Sequence, residues 1–217
     1  MKKWCYRYGY FLLGVILNSF GVALITKAAL GTSPISSLPY VLSFRFPLTL
    51  GGFTFIMNIF FILGQILLLR RKFQWLQLLQ MGVNVVFSLV IDVSMNLLFW
   101  LVPNTWWEQL LALLAGCTIL ALGISIEVAP NVLMVPGEGL VKAISTVFHK
   151  RFGSVKIAFD VSLVVLATSL SFLFFFRLQG LGLGTIVSAL IVGKIVNIFN
   201  RHFPLISHIS ALCRQKA

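Results

Sequence analysis

Residues 9–28 read GYFLLGVILNSFGVALITKA, an apolar run in which Lys27 carries the one charge. At the 1.5 Å rise of an α-helix, about 20 such residues cross the roughly 30 Å hydrocarbon core of a bilayer. Similar runs recur along the chain, and the predicted spans are 9–28, 51–69, 76–101, 109–128, 154–176 and 180–200. The sequence therefore predicts an all-α membrane protein with six transmembrane helices.

The composition leads to the same class of protein. Hydrophobic residues make up 59% of the chain and charged residues 10%, whereas about a quarter of a soluble domain is charged. The net charge of +12 would indicate nucleic acid in a soluble protein, but here Lys and Arg form short clusters between apolar runs. We therefore expect a lipid bilayer as the surroundings and no nucleic-acid partner.

Residues 111–130 read LALLAGCTILALGISIEVAP and match the opening run at an offset of 102 residues. Glycine and proline mark special backbone positions, so their coincidence carries more weight than that of apolar residues. At this offset the matches are Gly14/Gly116, Gly21/Gly123, Pro34/Pro136, Gly51/Gly153 and Gly82/Gly184. We predict two repeats, residues 1–104 and 105–217. Because each holds three spans, an odd number, the second repeat is inverted relative to the first.

Each repeat also holds one segment too short to span, near 34–46 and near 136–149. Both segments open with proline, which the first turn of a helix tolerates, and Ser33 is a good N-cap for the first. These segments are predicted to be short helices. They are either re-entrant or lie at the membrane interface.

Basic residues favour the cytoplasmic side of a membrane and so predict the orientation. With both termini inside, the outer side receives Lys27, Arg45 and Arg177, and Lys194 falls within a span. The inner side receives Lys2, Lys3, Arg7, Arg70, Arg71, Lys72, Lys142, Lys150, Arg151, Lys156, Arg201, Arg214 and Lys216. The asymmetry predicts cytoplasmic N- and C-termini.

The first candidate functional residue is Asp92, because a charge inside a span is costly unless it is paired or faces water. It lies on one helical stripe with Asn84, Ser88 and Asn96, which should face the protein interior. At the 102 offset Asp92 corresponds to Lys194. The two residues form a buried ion pair, or they line a central cavity and exchange partners with a proton or charged substrate.

The remaining candidates are polar residues of the second repeat and their equivalents. Asn58 corresponds to Asp160, and Lys156 stands four residues before Asp160, which permits a local ion pair. Glu127 ends the fourth span. Glu138 is the third residue of the second short helix, where a carboxylate meets the positive end of the helix dipole.

The N-termini of the short helices are candidate ligand sites if these helices are re-entrant. Free N–H groups would attract an anion there, with Thr32 and Ser33 adding hydroxyls, whereas Glu138 would favour a cation or proton. The sequence has no metalloprotease or Walker motif and no credible nucleophile–base pair, and its three cysteines lack metal-ligand spacing. We expect no enzyme activity, no cofactor and no metal.

The run GVALITKAALGTSP at residues 21–34, followed by Pro39 and by PGEG at 136–139, resembles the YitT/YczE family of bacterial membrane proteins. The resemblance covers essentially the whole chain. It implies a multi-span protein of the bacterial plasma membrane whose function is uncharacterised, and it supplies no catalytic residues.

The functional hypothesis is a secondary transporter or facilitator for a small polar or charged solute, bound near the repeat interface. Asp92, Lys194, Glu138 and the turn at residues 32–34 are the residues expected to carry it. Two alternatives remain open. One is a binding or accessory subunit of a larger transport complex, and the other is a passive pore. The protein is either such a subunit or a homo-oligomer where it has a protein partner.

Overall fold

The computed structural model describes residues 2–70, 75–130, 132–206, 208 and 209, except for the side chains of residues 2–5, 75, 76 and 152. Arg71, Lys72, Arg214 and Lys216, which belong to the predicted inner charges, lie outside this part, as do the side chains of Lys2 and Lys3. The helices are α1 Lys2–Lys27, α2 Pro34–Arg45, α3 Leu50–Leu69, α4 Gln80–Leu97, α5 Trp106–Val128, α6 Pro136–Val147, α7 Phe152–Phe175 and α8 Leu183–His202. A 3-10 turn, Trp75–Leu79, precedes α4.

Six helices in the described part are long and apolar enough to cross a membrane, which confirms the predicted number of spans. They cover Tyr6–Lys27, Leu50–Leu69, Gln77–Leu97, Trp106–Val128, Gly153–Phe175 and Leu183–His202. The third span is shorter than predicted, because α4 ends at Leu97 and a turn follows. Many large apolar side chains on these helices are exposed, as contact with lipid requires.

The two short helices also occur as predicted. α2 and α6 each have 12 residues, about 18 Å, and each has proline in its first turn. Ser33 occupies the N-cap position of α2 but makes no side-chain capping hydrogen bond, and its hydroxyl donates to Oγ of Ser36. The start of each short helix is therefore fixed by its proline.

α1 and α5 form an antiparallel pair at the centre of the core. Four glycines on these helices lie directly against the partner backbone, and the two residue numbers add to 141 in every contact. The contacts are Gly14 with Glu127, Gly21 with Leu120, Gly116 with Ile25 and Gly123 with Asn18. A Cβ on Gly21 would lie 2.6 Å from Cα of Leu120. Glycine thus allows the close approach that drives helix association in lipid.

The other helices surround this pair. α4 packs on α1 and α8 packs on α5, while α2 lies between α3 and α7, and α6 packs on the same two helices. α3 also packs along α4. α7 and α8 are also consecutive helices, but their described parts do not pack together as α3 and α4 do.

Candidate functional site

The first turns of the two short helices meet inside the protein. A Cβ on Gly137, in α6, would lie 2.8 Å from Cδ1 of Ile35, in α2. Both residues lie beside Phe61, which is about halfway along α3. We call this contact and the polar side chains around it the junction. It lies near the middle of a spanning helix.

On the α2 side of the junction the polar groups are neutral and buried. Thr32 Oγ1 is 2.8 Å from Thr26 Oγ1, and the Thr32 N–H donates to Thr185 Oγ1 at 3.2 Å. The Ser33 hydroxyl donates to Ser36 Oγ at 2.9 Å. The hydroxyls of Thr32 and Ser33, predicted to bind an anion, are thus hydrogen-bonded to neighbouring side chains.

On the α6 side the polar groups are charged. Glu127 is fully buried near the end of α5, where its Oε2 accepts from Nδ2 of Asn18 at 2.9 Å and its Oε1 accepts from the Val135 N–H at 3.3 Å. Glu138, in the first turn of α6, interacts electrostatically with Glu127. Two carboxyl groups therefore influence each other beside the first turn of one short helix.

Lys156 and Asp160 form the predicted local ion pair on α7. The Lys156 ammonium donates to both carboxylate oxygens, at 2.7 and 2.9 Å, and the two side chains are 27% and 21% exposed. Both charges act on Glu138, which is itself partly exposed. In the described part of the chain Glu138 accepts no hydrogen bond.

The polar residues of the site that were not predicted include the amides Asn18 and Gln65. Asn18 holds Glu127, and Gln65 donates to Oε1 of Gln80 at 3.1 Å and to the Pro136 carbonyl at 3.0 Å. Gln65 thereby ties α3 to the start of α6. Each is an amide inside an otherwise apolar run, and that isolation is the sequence signal that could have identified it.

Asn58 joins α3 to α4. Among the described residues it forms no hydrogen bond with the charged side chains on the α6 side of the junction. Its Nδ2 donates to Oδ1 of Asn84 at 2.7 Å, and Asn84 in turn donates to the Phe55 carbonyl at 3.0 Å. Asn84 and Ser88 are buried, as predicted for the α4 stripe, but Asn96 is exposed. Asn58 and its equivalent Asp160 therefore have different surroundings.

Asp92 and Lys194 are not brought together. Asp92 caps α3, since its Oδ2 accepts from the Thr49 hydroxyl at 2.6 Å and its Oδ1 from the Gly51 N–H at 2.8 Å. Lys194 is exposed on α8 and forms no ion pair within the described residues. The ion pair expected as one alternative is thus replaced by a helix cap.

A model described as a family of unknown function (DUF6198) matches residues 5–201 of the chain. The chain belongs to this family. It is also similar to the uncharacterized protein YyaS of Bacillus subtilis (strain 168), with 23% identity over 206 residues that cover 91% of this chain and 96% of the relative. No solved structure gives a significant match. The resemblance to YitT/YczE proteins stays a prediction, because neither match carries that name.

What this DUF6198 protein can do chemically follows from the groups at the junction. A carboxyl group such as Glu138 binds a cation or exchanges a proton, and the N–H groups of a helix N-terminus attract an anion. Among the described residues, no group of three or more His, Cys, Asp or Glu side chains is arranged to hold a metal ion. These groups can take part in the reversible binding of a small charged or polar species.

Proposed function

We propose that this protein is a secondary transporter or facilitator that binds a small polar or charged solute at the junction and moves it without chemical change. The observation that carries the proposal is the contact between Ile35 and Gly137 beside the partly exposed Glu138. Discontinuous helices that begin near the middle of the membrane form the substrate sites of many transporters. Solute binding between α2 and α6 follows from this likeness.

Two inverted repeats, residues 1–104 and 105–217, are part of the proposal. The contacts between α1 and α5 occur in equivalent pairs: Gly14 with Glu127 and Gly116 with Ile25, and Gly21 with Leu120 and Gly123 with Asn18. In each pair, adding 102 to one contact gives the other with the partners exchanged. A twofold axis between inverted repeats produces this pattern. Ile35 and Gly137 are equivalent residues in contact with each other, as expected on such an axis.

The proposal takes α2 and α6 as re-entrant. α2 ends at Arg45, close in sequence to the start of α3 at Leu50, whereas its first turn lies beside Phe61, about halfway along α3. A helix lying flat at the interface would keep both ends at one depth. The difference in depth supports a helix that starts inside the bilayer and runs to its surface.

The proposed location is the plasma membrane of a bacterium, with both termini in the cytoplasm. The distribution of basic residues supports this orientation. A relationship to the YitT/YczE proteins, based on the motif at residues 21–34, belongs to the same proposal. In this orientation α7 begins at the inner surface.

Solute reaches the junction from the inner side. Glu138, Lys156 and Asp160 are partly exposed although they lie within the bilayer, where charged side chains face water or protein and not lipid. α7 and α8 do not pack together over their described residues, and the proposed route to the junction runs between them. α3 and α4, by contrast, pack together from Gln65 and Gln80 at one end to Gly51 and Asp92 at the other.

Cysteine accessibility tests this route. In a variant free of the three native cysteines, Glu138→Cys is compared with Val165→Cys, an exposed position in the middle of α7. A membrane-impermeant thiol reagent should modify Glu138→Cys from the inner side much faster than from the outer side. It should barely modify Val165→Cys. Equal rates from both sides at Glu138→Cys would indicate a passive pore, and rates no faster than at Val165→Cys would contradict an aqueous route.

A panel of small solutes tests binding on the purified protein. A solute of the right class should raise the thermal unfolding temperature of the unmodified protein, and Glu138→Gln should remove most of that rise. Glu108→Gln is the matched control, because Glu108 forms a capping box with Thr105 at the start of α5, away from the junction. A solute that stabilises the unmodified protein and Glu138→Gln equally would place its site elsewhere.

A further inference from the structure

Glu127 is a buried carboxyl group with no cation beside it in the described part of the chain. The residue is 1% exposed, and its two carboxyl oxygens accept hydrogen bonds from Nδ2 of Asn18 at 2.9 Å and from the Val135 N–H at 3.3 Å. It forms no ion pair with a described residue. An ionised carboxyl group is costly in an apolar interior without a cation, whereas a protonated one carries no charge. A single proton therefore decides whether this part of the core is charged.

The packing of α1 on α5 does not require an ionisable group at this place. The positions 102 residues away from Asn18 and Glu127 are Leu120 and Ile25, which are buried in one apolar cluster. A glycine of the opposite helix lies against Glu127 and against Ile25 alike. An apolar pair thus fills the equivalent contact between the same two helices. Because an ionisable group is costly where an apolar one packs, its presence at membrane depth indicates a function.

Two further acidic side chains follow Glu127 in a series of electrostatic neighbours. The charge of Glu138 acts on Glu127, and the charges of Asp160 and Lys156 act on Glu138. Exposure increases in the same order, since Glu127 is buried, Glu138 is partly exposed and the Asp160 side chain is 21% exposed. Series of acidic side chains carry protons in membrane pumps and transporters. This series leads from a partly exposed ion pair to a buried carboxyl group.

Charged groups on the other helices around α5 do not pair with Glu127. On α1, Arg7 donates to the Pro130 carbonyl from Nε at 3.3 Å and from Nη2 at 2.9 Å. On α8, Lys194 and Arg201 are exposed. Neither helix gives Glu127 an ion-pair partner among the described residues. No cation from these helices therefore replaces a proton on Glu127.

We propose that Glu127 binds a proton, which reaches it from the inner side through Asp160 and Glu138. In each transfer, directly or through water, an O–H bond of the donor breaks and an O–H bond of the acceptor forms. One proton is taken up from water, and nothing is oxidised or reduced. Asn18 suits both forms of Glu127, because its Nδ2 donates to the carboxylate and its Oδ1, after rotation of the amide, accepts from the protonated group. The proposal deepens the proposed function, on which it rests for access from the inner side.

The proton acts on the start of α6 through Val135. The N–H of this residue donates to Glu127, and its carbonyl accepts from the Gly139 N–H at 2.9 Å, which closes the first turn of α6. A hydrogen bond to an ionised group is about twice as strong as one between neutral groups, so protonation of Glu127 weakens its hold on Val135. Glu138 lies in the same turn. The proton and the solute thus act on the start of one short helix.

Infrared spectroscopy of the purified full-length protein in detergent tests the proton site. On acidification the unmodified protein should gain the absorption of a protonated carboxyl group in apolar surroundings, and at alkaline pH it should lose it. Glu127→Gln and Glu127→Ile, which copies Ile25, should lack this absorption. Glu108→Gln is the matched control and should retain it, because Glu108 is exposed at the start of α5. Thermal unfolding checks that each variant is folded. An absorption that is present at every pH, absent at every pH, or retained in Glu127→Gln would overturn the proposal.

Two further measurements test the path and the ion. After transfer to D2O the absorption shifts as Glu127 exchanges its proton, and Glu138→Gln should slow this shift about 100-fold, since a positioned proton-transfer group is lost. Glu108→Gln should not slow it. Replacing sodium chloride with choline chloride at constant pH should leave the absorption unchanged. An unchanged rate in Glu138→Gln, or an effect of sodium, would overturn the proposal. No solute enters these measurements, so their failure is distinguishable from failure of the solute panel.

Discussion

The pair α3–α4 is held together by polar contacts, whereas the corresponding pair α7–α8 is not. Gln65 bonds to Gln80, Asn58 to Asn84, and Asp92 to Thr49 and Gly51. At the 102 offset the corresponding pairs are Ala167 with Gly182, Asp160 with Ile186, and Lys194 with Arg151 and Gly153. None of these second-repeat pairs can form the hydrogen bonds of the first.

The difference shows what holds helices together in a membrane. Lipid tails are as apolar as leucine, so apolar burial does not drive two helices together, and small residues and interhelical hydrogen bonds decide which pairs pack. The first repeat keeps three such links between α3 and α4. The positions 102 residues further on, which include Arg151, Asp160 and Lys194, cannot form these bonds, and α7 and α8 do not pack together over their described parts.

The largest expected effect comes from adding a side chain at Gly51, where α3 contacts α4. The comparison is the same change at Gly153, which has no neighbouring atoms in the described structure. Gly51→Leu should destabilise the protein by about 3 kcal/mol, because the new side chain overlaps Ser88 and Asp92. Gly153→Leu should change the free energy of unfolding by less than about 0.5 kcal/mol, since its surroundings are open. Unfolding in mixed micelles measures both. Equal losses would mean that α7 and α8 pack as α3 and α4 do.

The next effect concerns the two charges at equivalent positions. Asp92→Ala should cost about 2 kcal/mol, because it removes a charge-assisted cap from the Gly51 N–H and the Thr49 hydroxyl. Lys194→Ala should cost less than about 0.5 kcal/mol, as its side chain is exposed and unpaired among the described residues. The same unfolding measurement applies. A large loss in Lys194→Ala would reveal a partner for this residue.

A smaller effect is expected at the central amide pair of α3 and α4. A double-mutant cycle with Asn58→Ala and Asn84→Ala should give a coupling energy of about 1 kcal/mol, since interhelical hydrogen bonds in membranes are modest. Asp160→Ala combined with Ile186→Ala is the equivalent cycle in the second repeat and should give no coupling. Coupling in the second cycle would contradict the separation of α7 from α8.

The smallest effect is expected for the ion pair of the second repeat. A cycle with Lys156→Gln and Asp160→Asn should give about 0.5 kcal/mol, because the pair lies within one helix and is partly exposed. Unfolding free energies of the four proteins provide the value. A coupling several times larger would mean that the pair is shielded from water, and access from the inner side would then be contradicted.

The candidate site was predictable where it depends on local sequence. Pro34 and Pro136 mark the starts of the short helices, and the spacing of Lys156 and Asp160 gives their ion pair. The partners of Asp92 were not predictable. A carboxylate near a helix end can pair with a lysine or cap another helix, and only the arrangement of α3 and α4 selects the cap.

The sequence by itself determined the six long apolar helices and the two short helices, because these follow from composition, helix geometry and spacing along the chain. Only the tertiary structure decided which of those residues meet. Asn18 and Glu127 are 109 residues apart, yet they bond where α1 and α5 touch. Such contacts depend on how close and at what depth two helices pack, and the pattern of a single helix does not contain that information.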